Sequence, residues 1–181
     1  MLKAIILSFA TTFFLHNDSN HNKVINHQQD DILLGVHQRA DLEKEPYKTW
    51  FDKNYKEYKI KENYANKVKP LLVNVKIKIF MGTWCHDSQR EVPHLFKILD
   101  AEGYNSKNVE LVMVSYAKKT PNHLEEGFNI KRVPTIIFYK DGKEVNRIVE
   151  YPTRSLEKDM FLILSGKPYK DAYADFNLDK S

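Results

Sequence analysis

A second cysteine is missing. Cys85 is the only one in the 181-residue chain, so no disulfide can close within it and no cysteine-rich zinc site can be built. Long apolar runs are missing too. The N-terminal run Ala4–Leu15, interrupted by Ser8, Thr11 and Thr12, falls short of the ~20 apolar residues a comfortable membrane span needs. No cysteine stands directly after that run, which excludes lipid attachment there. A strong excess of one charge is absent as well. The net charge is +4, and Lys and Arg alternate with Asp and Glu, which describes a solvated surface and not a nucleic-acid footprint. Three histidines, His16, His21 and His27, are spaced neither for one helix face nor for a tight chelate. No metal, no cofactor and no internal repeat are expected.

What is present suffices for one domain with extensions. Hydrophobic residues make up 42% of the chain, enough for a real core. Met1-Leu2-Lys3 sets a charge ahead of the apolar run, and polar residues follow from His16. This is the layout of a secretory signal peptide, although no small-x-small pattern closes it. Residues 1–15 are therefore expected to be a signal directing export to the periplasm or cell envelope; the chain is cytoplasmic if the run is not a signal. Residues 16–31, rich in Asn, His, Gln and Asp, read as a polar linker. Residues 32–69 read as an amphipathic helical extension, in which Trp50, Phe51, Asn54, Tyr55 and Tyr58 share one side. Residues 70–165 read as the main domain and 166–181 as a polar tail.

Within the main domain, 73–81 alternates and then turns continuously apolar, as a strand entering a sheet does. Residues 86–101 carry helical periodicity through Val92, Leu95, Phe96 and Leu99. A second strand is expected over 109–116 and a short helix over 121–128. A third strand follows over 133–139, then a turn at Asp141-Gly142 and a fourth strand over 144–149. A terminal helix over 155–164 has Ser155 as its cap and Lys158 and Asp159 on its wet side. The order predicts an α/β fold, a mixed sheet flanked by helices.

A lone cysteine is ordinarily a buried small hydrophobe. Cys85 instead falls where a strand ends and a helix begins, after Gly82-Thr83-Trp84. The first turn of a helix offers unpaired N–H groups and partial positive charge, which favour a thiolate and so reactivity. His86 reads equally as a solvent-facing spacer and as a charge that modulates the thiol. Asp87 is also simply a good helix-start residue. A Cys-His-Asp hydrolytic triad does not suit adjacent residues on one helical turn.

Trp84-Cys85-His86-Asp87-Ser88 resembles the active-site segment of the thioredoxin superfamily with its second cysteine replaced by serine. It is most similar to exported bacterial members carrying Trp-Cys-x-Asp-Ser. Pro93 matches the proline that kinks the family's first helix. Val133-Pro134-Thr135 matches its cis-proline segment, and Lys140-Asp141-Gly142-Lys143 its following hairpin. The resemblance covers roughly 70–165. It implies a thioredoxin-like fold, a nucleophile at Cys85 with Ser88 in the resolving position, and a groove in which Val133, Pro134 and Thr135 meet substrate. There the backbone of Val133 would pair with an extended peptide, and the Val133–Pro134 bond would be cis.

Three departures shape the expected chemistry. Ser88 cannot attack a mixed disulfide as a second thiolate would. The family's buried acid, six residues before the nucleophile, is Ile79 here. A glycine common after the hairpin is replaced by Glu150. The chain therefore reads as a monothiol protein, Cys85 exchanging with protein or small-molecule thiols and disulfides. The alternative is a non-catalytic module binding chains in the groove beside Pro134. A third reading is an intermolecular disulfide through Cys85. The residues leave open whether the thiol turns over as an enzyme.

Overall fold

In a computed structural model of the chain, residues 32–176 are described. The expected signal segment 1–15 and linker 16–31 lie outside them, as do residues 177–181. The chain builds a mixed five-stranded sheet flanked by helices. In chain order its elements are β1 Gly35–His37, α1 Arg39–Leu42, α2 Lys48–Glu57, α3 Glu62–Val68, β2 Val75–Met81, α4 His86–Ala101, β3 Val109–Met113, β4 Thr135–Lys140, β5 Lys143–Val149 and α5 Leu156–Leu164. The strand order is β1-β3-β2-β4-β5. β2 and β3 run parallel, Ile79 opposite Leu111, and the other neighbours are antiparallel.

Side-chain alternation divides the core into two unequal layers. On one face Val75, Ile77, Ile79 and Met81 of β2 join Ile136 and Phe138 of β4. There they meet Phe51 of α2, Val68 of α3, Leu95, Phe96 and Leu99 of α4 and Met160 of α5. The opposite face holds a smaller cluster of Phe80, Val112, Val114, Val133 and Ile137. Leu124, Phe128 and Ile130 cover it, together with Trp84 and Cys85. Ile79, in the position of the family's buried acid, is fully buried in the larger layer.

The segment 121–128, expected as a short helix, forms turns instead. His123, Gly127 and Asn129 adopt φ of 54°, 80° and 53°, a left-handed conformation that interrupts a helix. Side chains satisfy the backbone in its place. Glu125 accepts from the Thr120 N–H at 3.0 Å and from the Thr120 hydroxyl at 2.8 Å, and the Leu124 N–H donates to the Thr120 hydroxyl oxygen.

The stretch 32–69 contains a strand as well as helices. β1 adds antiparallel to β3, pairing Val36 with Val112. Phe51 of α2 is buried against Phe96 of α4, ring centroids 6.2 Å apart. Asn54 makes a second link. Pro93 sits inside α4 with no N–H to give the Gln89 carbonyl four residues back. The Asn54 amide donates to that carbonyl at 3.1 Å, so α2 supplies the donor that the proline removed.

In α5, Ser155 caps the helix by accepting from the Lys158 N–H. Asp159, expected on the wet side, is fully buried. Its carboxylate accepts from the Thr153 N–H at 2.6 Å and from the Tyr169 hydroxyl at 3.3 Å. Both partners lie outside the helix, so helical periodicity could not reveal them. Tyr169 belongs to the stretch expected as a polar tail. No described helix is long and apolar enough to cross a membrane.

Candidate functional site

β2 ends at Met81 and the chain turns through Gly82-Thr83-Trp84 before α4. The turn closes with the Cys85 N–H on the Gly82 carbonyl at 3.0 Å. Gly82 is required by close approach: a Cβ there would lie 2.5 Å from the Trp84 ring. That ring folds back over the glycine and donates its indole N–H to the Val114 carbonyl at 2.9 Å. Tyr116 lies against it at 4.5 Å between centroids, and the Lys118 ammonium sits 6.0 Å from its centre.

Cys85 is the N-cap residue of α4, with extended backbone (φ −91°, ψ 121°). Its carbonyl accepts the first helical bond, from the Gln89 N–H at 2.9 Å. Its side chain makes no capping bond to the helix N–H groups. The thiol instead donates to the Val133 carbonyl at 3.1 Å. The half-buried sulfur thus touches the residue before Pro134. The Val133–Pro134 bond is cis, and β4 begins at Thr135, whose hydroxyl donates to the Arg132 carbonyl.

Trp84, Cys85, Val133 and Pro134 therefore come together, with Thr135 buried beneath them. Ser88 is fully buried and accepts from the Gly82 N–H at 3.3 Å, so its hydroxyl holds the turn that carries Cys85. Asp87 pairs with Arg90 at 2.5 Å, and Arg90 also reaches Glu91 at 2.7 Å. His86 is exposed. Among the described residues no group of three His, Cys, Asp or Glu side chains is arranged to hold a metal ion.

Three further residues border the site. Glu150 donates its N–H to the Pro134 carbonyl at 2.7 Å. Its carboxylate accepts from the Tyr173 hydroxyl and lies 4.0 Å from the Arg132 guanidinium. Burial, with Asp87 adding to it, raises the Glu150 carboxyl above its ordinary value, against the pull of Arg132 and Lys118. The Arg132 guanidinium in turn sits 5.1 Å from the Tyr173 ring centre. The replaced family glycine marked Glu150 in the sequence. Nothing marked Arg132 or Tyr173, whose roles exist only through contacts distant along the chain.

The family model described as Thioredoxin matches residues 36–161, well over half of the chain. The chain belongs to this thioredoxin family. Among solved structures, a protein of unknown function from Pseudomonas aeruginosa is similar at 12% identity and a TM-score of 0.52, covering 80% of this chain and 89% of its own. That likeness is one of fold. An HIV epitope-scaffold protein also matches, at 13% identity and a TM-score of 0.34 over 74% of this chain and 93% of its own. No curated protein matches the chain.

Proposed function

We propose that this protein is a monothiol member of the thioredoxin family in which Cys85 undergoes thiol–disulfide exchange. The observation that carries the reading is the position of the lone sulfur. It lies at the start of α4, half-buried, 3.1 Å from the Val133 carbonyl beside Pro134. The Cys85 thiolate attacks one sulfur of a disulfide. A new disulfide to Cys85 forms, the second sulfur leaves as a thiolate, and the proton given up by Cys85 goes to that leaving group. Ser88 cannot resolve the product, so an external thiol attacks it, regenerates Cys85 and carries the first sulfur away as a new disulfide. Ser88 supports the turn through Gly82 and takes no part in exchange. The N-terminal layout supports export, and an oxidising compartment is where such a thiol meets disulfides.

The test is intact-mass spectrometry of the full chain incubated with glutathione disulfide. One adduct per chain is expected, removed by added thiol and absent in Cys85→Ser. No adduct on the folded chain, with ready modification after denaturation, would sink the reading. That outcome would favour the binding-module alternative, which one contact supports: the thiol proton is engaged by a carbonyl, as in a structural cysteine. A dimer on a non-reducing gel would identify a second chain as the partner.

A further inference from the structure

The segment 168–176 lies beyond the family match, which ends at residue 161, and returns to the Cys85 site. Tyr169 anchors it on the buried Asp159. Tyr173 then touches both flanks of the Val133–Pro134 turn. On one flank its ring packs on Arg132, the residue before Val133. On the other its hydroxyl donates to Glu150, whose own N–H is bonded to the Pro134 carbonyl. Tyr151 closes the same corner, 6.2 Å from Tyr173 between ring centroids. Tyr173 also lines a cavity of about 520 Å³ together with Thr135, Phe128, Lys131, Val149 and Phe176.

A peptide adding alongside Val133 needs the backbone groups of that turn and clear space next to them. Here the Pro134 carbonyl already accepts the Glu150 N–H, whereas the Val133 carbonyl is held by the Cys85 thiol only until that thiol gives up its proton for exchange. The approach between Arg132 and Glu150 is spanned by an aromatic side chain. Glu150 holds this arrangement at φ 64°, a left-handed conformation that is costly for a residue with a side chain. Its hydrogen bond to Tyr173 and its proximity to Arg132 offset that cost. The opening on the side of Trp84 and Tyr116 carries no such bridge among the contacts described.

We propose that Tyr173 and Glu150 are specificity-determining residues of the Cys85 site: they close the groove beside Val133–Pro134 to extended peptides, so that Cys85 exchanges with small-molecule disulfides and thiols. This rests on the exchange reading above. The sulfur chemistry is unchanged; what the bridge selects is the size of the group attached to the attacked disulfide.

The test compares two probes on the full chain, an aromatic disulfide that releases thionitrobenzoate and an extended peptide whose cysteine is capped with the same thionitrobenzoate. Both rates are read from the released chromophore. In Tyr173→Ala and Glu150→Gly the peptide rate is expected to rise about tenfold relative to the small-probe rate, the scale of one charge-assisted hydrogen bond. Glycine adopts the backbone of position 150 freely, so Glu150→Gly keeps the test valid if Tyr173→Ala misfolds. Lys170→Ala, which breaks only the exposed Lys170–Asp175 pair of the same segment, is expected to leave the ratio unchanged. An unchanged ratio in both Tyr173→Ala and Glu150→Gly, with both probes reacting, overturns this inference and spares the exchange reading. If neither probe reacts with folded wild type, both fall.

Discussion

The two faces of the sheet are built by different means. One is covered by α2, α3, α4 and α5, whose apolar stripes interlock with Ile77, Ile79 and Phe138. The other carries a small apolar cluster under the irregular stretch 114–132. There single polar contacts take over the role of helix packing: Glu125 with Thr120, and the Arg147 guanidinium donating to the Phe128 carbonyl at 2.7 Å. Cys85 sits at the seam. Its backbone belongs to α4 on the thick side, while its sulfur and Trp84 rest on the thin side. The Cys85 thiol is thus carried on a long helix and opens onto the face with the least cover, beside the loop and the C-terminal segment.

The sharpest break of this comparison is a matched pair of truncations. Phe96→Ala, in the helical layer, should cost about 3–5 kcal/mol, read as a loss of unfolding free energy in urea. Phe128→Ala, half-buried under the loop, should cost roughly half of that, in line with its smaller buried area. Equal losses would show that both faces are packed alike. A smaller effect is expected for Asn54→Ala. It leaves the Gln89 carbonyl without the donor that replaces Pro93, and should cost about 1 kcal/mol. If stability does not change, water or a neighbouring group serves that carbonyl as well.

The gentlest probe is acid. Burial acts to raise the Glu125 carboxyl, but hydrogen bonds from Thr120 and the nearby Lys119 outweigh it and hold it down at about 2, against an ordinary 4.5. A carboxyl lowered in the folded state contributes stability that is fully present above its unfolded value and is lost as pH falls through the folded one. Wild-type stability should therefore decline between about pH 4.5 and 2, and less steeply in Glu125→Gln. Parallel acid titrations of the two proteins would contradict the assignment of that loop contact.

Legibility followed the same division. Helical spacing through Val92, Leu95, Phe96 and Leu99 announced α4, because one face of a long helix must be buried and its period survives in the chain. The alternation of 75–81 and the Asp141-Gly142 turn announced β2 and the β4–β5 hairpin for equally local reasons. The three residues of β1 are too few to carry a period, and they become a strand only because β3 offers an unpaired edge. Residues 121–128 had helical composition, yet the Thr120–Glu125 bonds and left-handed residues favoured turns. Asp159 had the spacing of a wet position and was buried by acceptor contacts to Thr153 and Tyr169.

One thiol at a strand–helix junction, serine and isoleucine in place of its expected partners, and a surrounding pattern of the thioredoxin family were all legible in the chain alone. These are properties of local order and period, and they need no distant residue. Where the thiol proton goes, that Ser88 serves Gly82, and that Tyr173 spans Arg132 and Glu150 beside Pro134 came from folding. The first and the last join groups 48 and 23 residues apart, and such contacts leave no period in the chain to be read.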